Sequence, residues 1–189
     1  FWITISFGAL FFTMLHHLVN ATWSIVLRRV SESIMIVLPF MTIFFIPVLF
    51  GINKLYQWSN PDIIVNDVLL NKKESFLNIK FFIIRSIIYF AVWIFIARIL
   101  YKNSIEQDKS FQTDRLKKMR IYSAVGMVLF SLTLTFCAFD WLMSLDAHWY
   151  STIFGVYIFS GCFLSILAFL VLISQYMRKK GVLVNVITI

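Results

Sequence analysis

Asp140, Arg85, His16, His17 and Arg98 are ionisable side chains inside or at the edge of long apolar stretches, where a charge is costly and is kept for a partner or a function. Asp140 comes 19 residues after Ile121, which at 1.5 Å per residue places it about 28 Å along a helix starting there. Arg85 sits four residues into its own apolar block, entering from the same side. The two are level if their helices are neighbours. An Asp–Arg pair at that depth can be a proton relay, the wall of a quinone pocket, or an interfacial ion pair without chemistry. His16 and His17 fall past the middle of the first block. Adjacent helical positions point about 100° apart, so one of the two readily faces a given partner. A proton-relay or quinone-bonding role suits that one, and a packed neutral imidazole is the alternative. The third histidine, His148, lies with Asp146 in a polar turn beyond Asp140. A bis-histidine haem needs two ligands at equal depth, so haem is not expected within this chain alone. Cys137 and Cys162 sit in separate apolar blocks at depths differing by about 9 Å, too far for a disulfide. With no CxxC, HExxH, GxSxG or phosphate-loop pattern, neither a metal site nor hydrolase chemistry is expected.

The elements that must hold these residues are membrane-spanning helices. The 189 residues are 60% hydrophobic and 14% charged, with a mean hydropathy of +0.85, whereas soluble domains carry about 25% charged residues. Apolar residues fall in blocks near the ~20 residues that carry a helix across ~30 Å of hydrocarbon. The expected fold is all-α, a polytopic transmembrane bundle of about five helices over 2–25, 34–52, 81–101, 121–143 and 150–176, forming one transmembrane domain across 1–189. Pro39 and Pro47 predict kinks in the second helix. Residues 63–70, within the long connection after it, predict a short interfacial helix. Ser151 with Gly155, and Gly161 with Ser165, recur at the four-residue spacing that lets helices approach closely in lipid.

The net charge of +8 would point to nucleic acid in a soluble protein, but the basic residues lie mainly between apolar blocks, so nucleic-acid binding is not expected. Twelve of them (Arg28, Arg29, Arg98, the six from Lys102 to Arg120, and Arg178 to Lys180) fall on one face, and five (Lys54, Lys72, Lys73, Lys80, Arg85) on the other. The first face, with connections 28–33, 102–120 and 177–189, is therefore expected to be cytoplasmic.

The stretch FDWLMSLDAHWYSTIFGVY, Phe139 to Tyr157, resembles a signature of the F-type membrane subunit of bacterial alternative complex III, a quinol:cytochrome c oxidoreductase, within the NrfD-like, polysulfide-reductase-type superfamily. Gly8 to Glu32, with its paired arginines, and Leu77 to Arg85 are similar to further parts of that family. Ala147 stands where the family pattern has proline, which predicts a looser turn, and the family's chains are about twice as long, so the chain reads as half of a longer subunit. The resemblance implies a bacterial inner-membrane bundle beside a homologous quinol-binding subunit. Multihaem cytochrome and iron–sulfur partners would hold haem c and the clusters, and a cytochrome c or terminal oxidase would accept electrons. This chain's part would be structural, a proton route or a quinone pocket, with lipid around it. A secondary transporter binding an anion at Arg85, and a pure scaffold, are the alternatives.

Overall fold

The computed structural model describes residues 2–21, 25–109 and 112–181. It is 86% helical, contains no strand among the described residues, and has five helical segments long and apolar enough to cross a membrane. The all-α bundle of about five spans is thus what the chain forms.

Helix α1, Trp2–Val19, stops because Asn20 adopts a left-handed conformation (φ 48°), one of the few non-glycine residues that tolerates it. The Ala21 amide returns to the His16 carbonyl at 3.2 Å. The first helix therefore ends well before Ile25. The second span begins earlier than the hydropathy indicated, since α2 (Ile25–Met35) is helical through Arg28, Arg29 and Glu32, the residues expected to form a polar connection. After a tight turn at Ile36 and Val37, α3 (Leu38–Phe50) completes this span. Pro39 opens α3 rather than kinking it, because its missing N–H is one the first turn leaves unpaired. Pro47 lies inside α3.

Residues 51–78 fold back over one end of the bundle as short pieces: α4 (Ile52–Leu55), a 3-10 turn at Gln57–Ser59, α5 (Pro61–Asn66) and α6 (Val68–Lys73). The single interfacial helix expected over 63–70 is thus split at Asp67, whose carboxylate accepts from the Leu69 and Leu70 amides at 2.8 and 3.2 Å and so starts α6. Tyr56, Trp58 and Phe82 stack here with centroids 5.0–5.4 Å apart, forming a small second core with Leu70 and Leu77.

Helices α7 (Ile79–Lys109) and α8 (Thr113–Trp141) are much longer than the apolar blocks 81–101 and 121–143. At 1.5 Å per residue, 31 residues extend about 46 Å, beyond the hydrocarbon at either side. The charged segment 102–120 is therefore mostly helix, since Lys, Arg, Glu and Gln are good helix formers wherever water or headgroups can reach them. Arg115 meets Glu106 across the α7–α8 turn at 3.4 Å. A 3-10 turn, Met143–Leu145, leads into the loop before α9 (Phe154–Lys179), which starts later than position 150 and runs to Lys179. Of the expected connections, 110–111 and 182–189 lie outside the described residues, as do 22–24 of the first block.

Helix α1 is the centre of the bundle, packed against α9, α2, α8 and α3. It is 61% buried within the chain, whereas the most apolar stretch of Leu27–Phe50 is 11% buried and that of α9 17%. Few residues of those two spans are buried within the chain, and their exposed side chains are left to lipid or to another protein. Close approach of α1 to α9 depends on Gly8, where a Cβ would collide with the Cys162 carbonyl and come within 2.8 Å of Ile166.

Candidate functional site

Two buried ionic clusters occupy opposite ends of the bundle. The first is built around Asp140 in the last turn of α8 and Arg85 in the second turn of α7. Asn78 caps the start of α7, its side-chain oxygen accepting from the Phe81 amide at 2.8 Å. Arg85 donates from Nε to Asp140 Oδ2 at 2.7 Å and from Nη2 to Oδ1 at 2.8 Å, the two-pronged geometry that makes Arg–carboxylate pairs strong. Its Nη1 donates to the Phe76 carbonyl at 3.0 Å, and the rings of Phe76 and Phe81 cover the guanidinium at 4.0 and 4.3 Å. Tyr89 donates its hydroxyl to Asp140 Oδ2 at 2.6 Å, and Ser144 donates to the Asp140 carbonyl. Exposure is 7% for Arg85 and 1% for Asp140. The pair expected from depth alone does form, and its hydrogen-bonding groups are turned inward on one another.

Around this pair the α7–α8 seam is closed by further polar contacts. Trp141 Nε1 donates to Ser86 at 3.0 Å, Trp93 Nε1 to Thr133 at 2.9 Å, and Tyr56 donates to the Trp141 carbonyl at 3.0 Å. Burial, with lesser contributions from Cys137 and Asp140, pushes the Tyr56 phenol up to about 12, which keeps it a neutral donor.

The second cluster surrounds Glu32, which is fully buried on α2. Ser104 on α7 donates to its Oε1 at 2.6 Å and Arg29 Nη1 to its Oε2 at 2.8 Å. Arg28 Nε lies 3.4 Å away and His17 Nε2 4.0 Å. Asp108, near the end of α7, pairs with Arg29 and lies 3.6 Å from Arg28. Only His17 of the histidine pair approaches this carboxylate; His16, also buried, turns its ring to Phe12 with centroids 4.1 Å apart. Hydropathy missed Glu32, Ser104 and Asp108 as site residues. The spacing of Arg28 and Arg29 to Glu32, four and three residues, was the available signal once those positions are read as helix.

Asp146 and His148 do not join Asp140. They belong to the exposed loop after α8, where His148 Nε2 bonds Asp67 at 2.6 Å and Asp146 accepts from the His148 amide at 3.1 Å. Lys73 donates to the Ala147 carbonyl at 2.6 Å. The turn expected to be loosened by Ala147 is therefore pinned to α6 at two points, with Ala147 itself buried. The amides of Leu70 and Leu69, with His148 behind them, hold the Asp67 carboxyl below its usual value.

Of the small residues expected to pack helices, Gly155 does so, since a Cβ there would come within 2.7 Å of Thr135 on α8. Gly161 has nothing within 4 Å, and the Ser165 hydroxyl bonds the Gly161 carbonyl at 2.7 Å. Gly161 thus faces outward while Ser165 is half-buried, and Ser151 is half-buried in the loop before α9. Cys137 and Cys162 are free and buried, and Arg98 is exposed. Among the described residues no three His, Cys, Asp or Glu side chains gather where a metal could be held.

The two clusters are far apart. Arg85 and Ser104 are separated by 19 residues on α7, about 28 Å. The buried residues of α7 between Tyr89 and Ser104 are Phe90, Trp93, Ile96, Ala97 and Leu100. None of these buried residues carries a titratable side chain. No family model matches the sequence, and no curated protein matches it.

Proposed function

We propose that this chain is an accessory, non-catalytic membrane subunit of a bacterial respiratory quinol:cytochrome c oxidoreductase of the alternative complex III type. Its part is to hold a helical platform in the inner membrane for partners that carry haem c, iron–sulfur clusters and the quinol site. The observation that carries this reading is that the segments bearing the resemblance supply the buried ionic contacts between helices. Leu77 to Arg85 and Phe139 to Tyr157 join through the Arg85–Asp140 pair, and Gly8 to Glu32 supplies His17, Arg28, Arg29 and Glu32 of the second cluster. The residues of the signature are thus used to lock helices together.

The same geometry favours a structural part over a quinone pocket at Asp140 or a proton route through the chain, because the pair is internally satisfied and an apolar stretch of α7 separates the clusters. It also weighs against a transporter, since Arg85 already gives Nε, Nη1 and Nη2 to Asp140 and Phe76 and lies between two rings. The distribution of Lys and Arg supports a cytoplasmic position for the Glu32 end. Purification of the native assembly followed by mass spectrometry of its companions tests the proposal. Multihaem and iron–sulfur subunits are the expected companions, and a solitary polypeptide overturns it.

A further inference from the structure

A cavity of about 470 Å³ opens at the Asp140 end of the bundle, bordered by Phe76 and Ser144, which also touch the buried ion pair. Its walls come from α6 and the residues after it (Leu69, Lys73, Phe76, Leu77), from the end of α8 and the turn beyond it (Phe139, Met143, Ser144), and from the loop before α9 (Ala147 to Tyr150). Phe139 and Met143 belong to a membrane-spanning segment, whereas Lys73 and His148 lie outside every span. The cavity therefore straddles the edge of the spanning zone, apolar on the membrane side and with Lys73 at the rim. Its volume falls in the range of small-ligand sites.

The chemistry of the rim narrows the occupant. Lys73 gives one of its three N–H bonds to the Ala147 carbonyl at 2.6 Å, leaving donors for a ligand. His148 also lines the cavity, but its Nε2 bonds Asp67 at 2.6 Å and its Nδ1 lies 3.9 Å from Asp146, so the donor the rim offers is Lys73. The Asp67 carboxylate is itself occupied by the Leu69 and Leu70 amides, which lessens its repulsion of an anion at the rim. Trp149 and Tyr150, half and largely exposed, flank the opening as ring side chains do at a headgroup boundary. An apolar floor in the span, with a lysine and two aromatic rings at the rim above it, matches an amphiphile with an anionic phosphodiester head, and the bilayer supplies one.

We propose that this cavity binds the headgroup and upper acyl segment of an anionic phospholipid, with the phosphodiester at Lys73 and the acyl chains running along Met143 and Phe139. The site fastens the 144–153 loop to α6 through a lipid as well as through Lys73 and His148. This inference requires only that the chain is membrane-embedded, and it stands or falls separately from the respiratory reading.

The test uses the native assembly in nanodiscs of phosphatidylglycerol or phosphatidylcholine, with lipid retention after detergent exchange and hydrogen exchange over residues 142–150 as readouts. Phosphatidylglycerol should be retained at least about tenfold better, a difference of ~1.4 kcal/mol, and should slow exchange in that loop. Lys73→Met should abolish the preference, Lys73→Arg should keep it, and Lys80→Ala, an exposed lysine outside the cavity, should leave it unchanged. Met143→Trp fills the cavity without changing a charged residue and should expel the lipid, giving a second measure if Lys73→Met unfolds the loop. Equal retention of the two lipids, preference surviving both Lys73→Met and Met143→Trp, or retention of an isoprenoid quinone in place of phospholipid overturns the proposal. Inorganic phosphate alone should produce no saturable change in loop exchange; a saturable one reassigns the rim to free phosphate and overturns the lipid.

Discussion

Replacing Asp140 by alanine would leave the Arg85 guanidinium buried beneath Phe76 and Phe81 with one carbonyl as its remaining partner. An uncompensated buried charge of this kind costs about 3–5 kcal/mol, whereas exchanging both partners for apolar residues of similar size is often neutral. Asp140→Ala should therefore lower the unfolding midpoint sharply in detergent, and the Arg85→Met/Asp140→Leu double variant should recover most of the loss. If the double variant recovers stability but the assembly loses quinol oxidation, the pair does more than hold helices together. At Glu32 the charges are shared among more groups, so coupling is the measurable quantity. Glu32→Gln and Asp108→Asn should together destabilise more than the sum of the single changes, since each carboxylate relieves Arg28 and Arg29 when the other is gone. The Asp67 carboxylate, held mainly by the Leu70 and Leu69 amides and less by His148, carries a pH dependence of known sign. Because the folded state holds the Asp67 carboxyl below its ordinary 3.8, its stabilisation is present in full above about pH 4 and is lost as the pH falls through the lowered value. Hydrogen exchange in residues 143–150 should accelerate across that acid range, and Asp67→Asn should remove the dependence.

Between helices, the decisive contacts are made by glycines, whose absent side chains set how near two backbones come. Gly8→Val would drive a branched side chain into Cys162 and Ile166 and should separate α1 from α9 at a cost of about 1–3 kcal/mol. Gly155→Leu should disturb α8 and α9 through Thr135. Gly161→Leu should leave the midpoint of the isolated chain unchanged, because nothing lies within 4 Å of it. If Gly161→Leu nevertheless prevents recovery of companion subunits, the outward face of α9 is where a partner helix sits. The break at Asn20 and Ala21 acts on α2 in a related way: one left-handed residue ends α1, and this lets Arg28, Arg29 and Glu32 enter the bundle as helix.

Across the molecule, five spans place Trp2 and Lys179 at opposite ends of the bundle. Single cysteines introduced at Lys72 and at Lys117 should therefore react with a membrane-impermeant maleimide from opposite sides, with Lys117→Cys protected in intact cells. Labelling of both from one side removes the topology. The small buried fractions of Leu27–Phe50 and α9 leave two broad apolar faces beside a well-packed α1. A monomer in lipid covers such faces with acyl chains, whereas a subunit of a complex covers part of them with protein.

The number of spans was set by composition, because lipid forces every backbone N–H and C=O in a long apolar run into a helix regardless of what surrounds it. Depth followed from the same count: Arg85 and Asp140 could be judged level since rise per residue is fixed, and they do pair. Azimuth and neighbour identity could not be read this way. Glu32 with Ser104, Asp67 with His148, and Gly8 with Cys162 lie far apart in the chain and share a site only once helices have chosen partners and faces. Hydropathy averages over a window, so it also smoothed away Asn20, where one backbone angle ends a helix, and the charged turns that extend α7 and α8 past the membrane. Local solvation dictated what crosses the bilayer; packing alone decided which charges became buried, and against what.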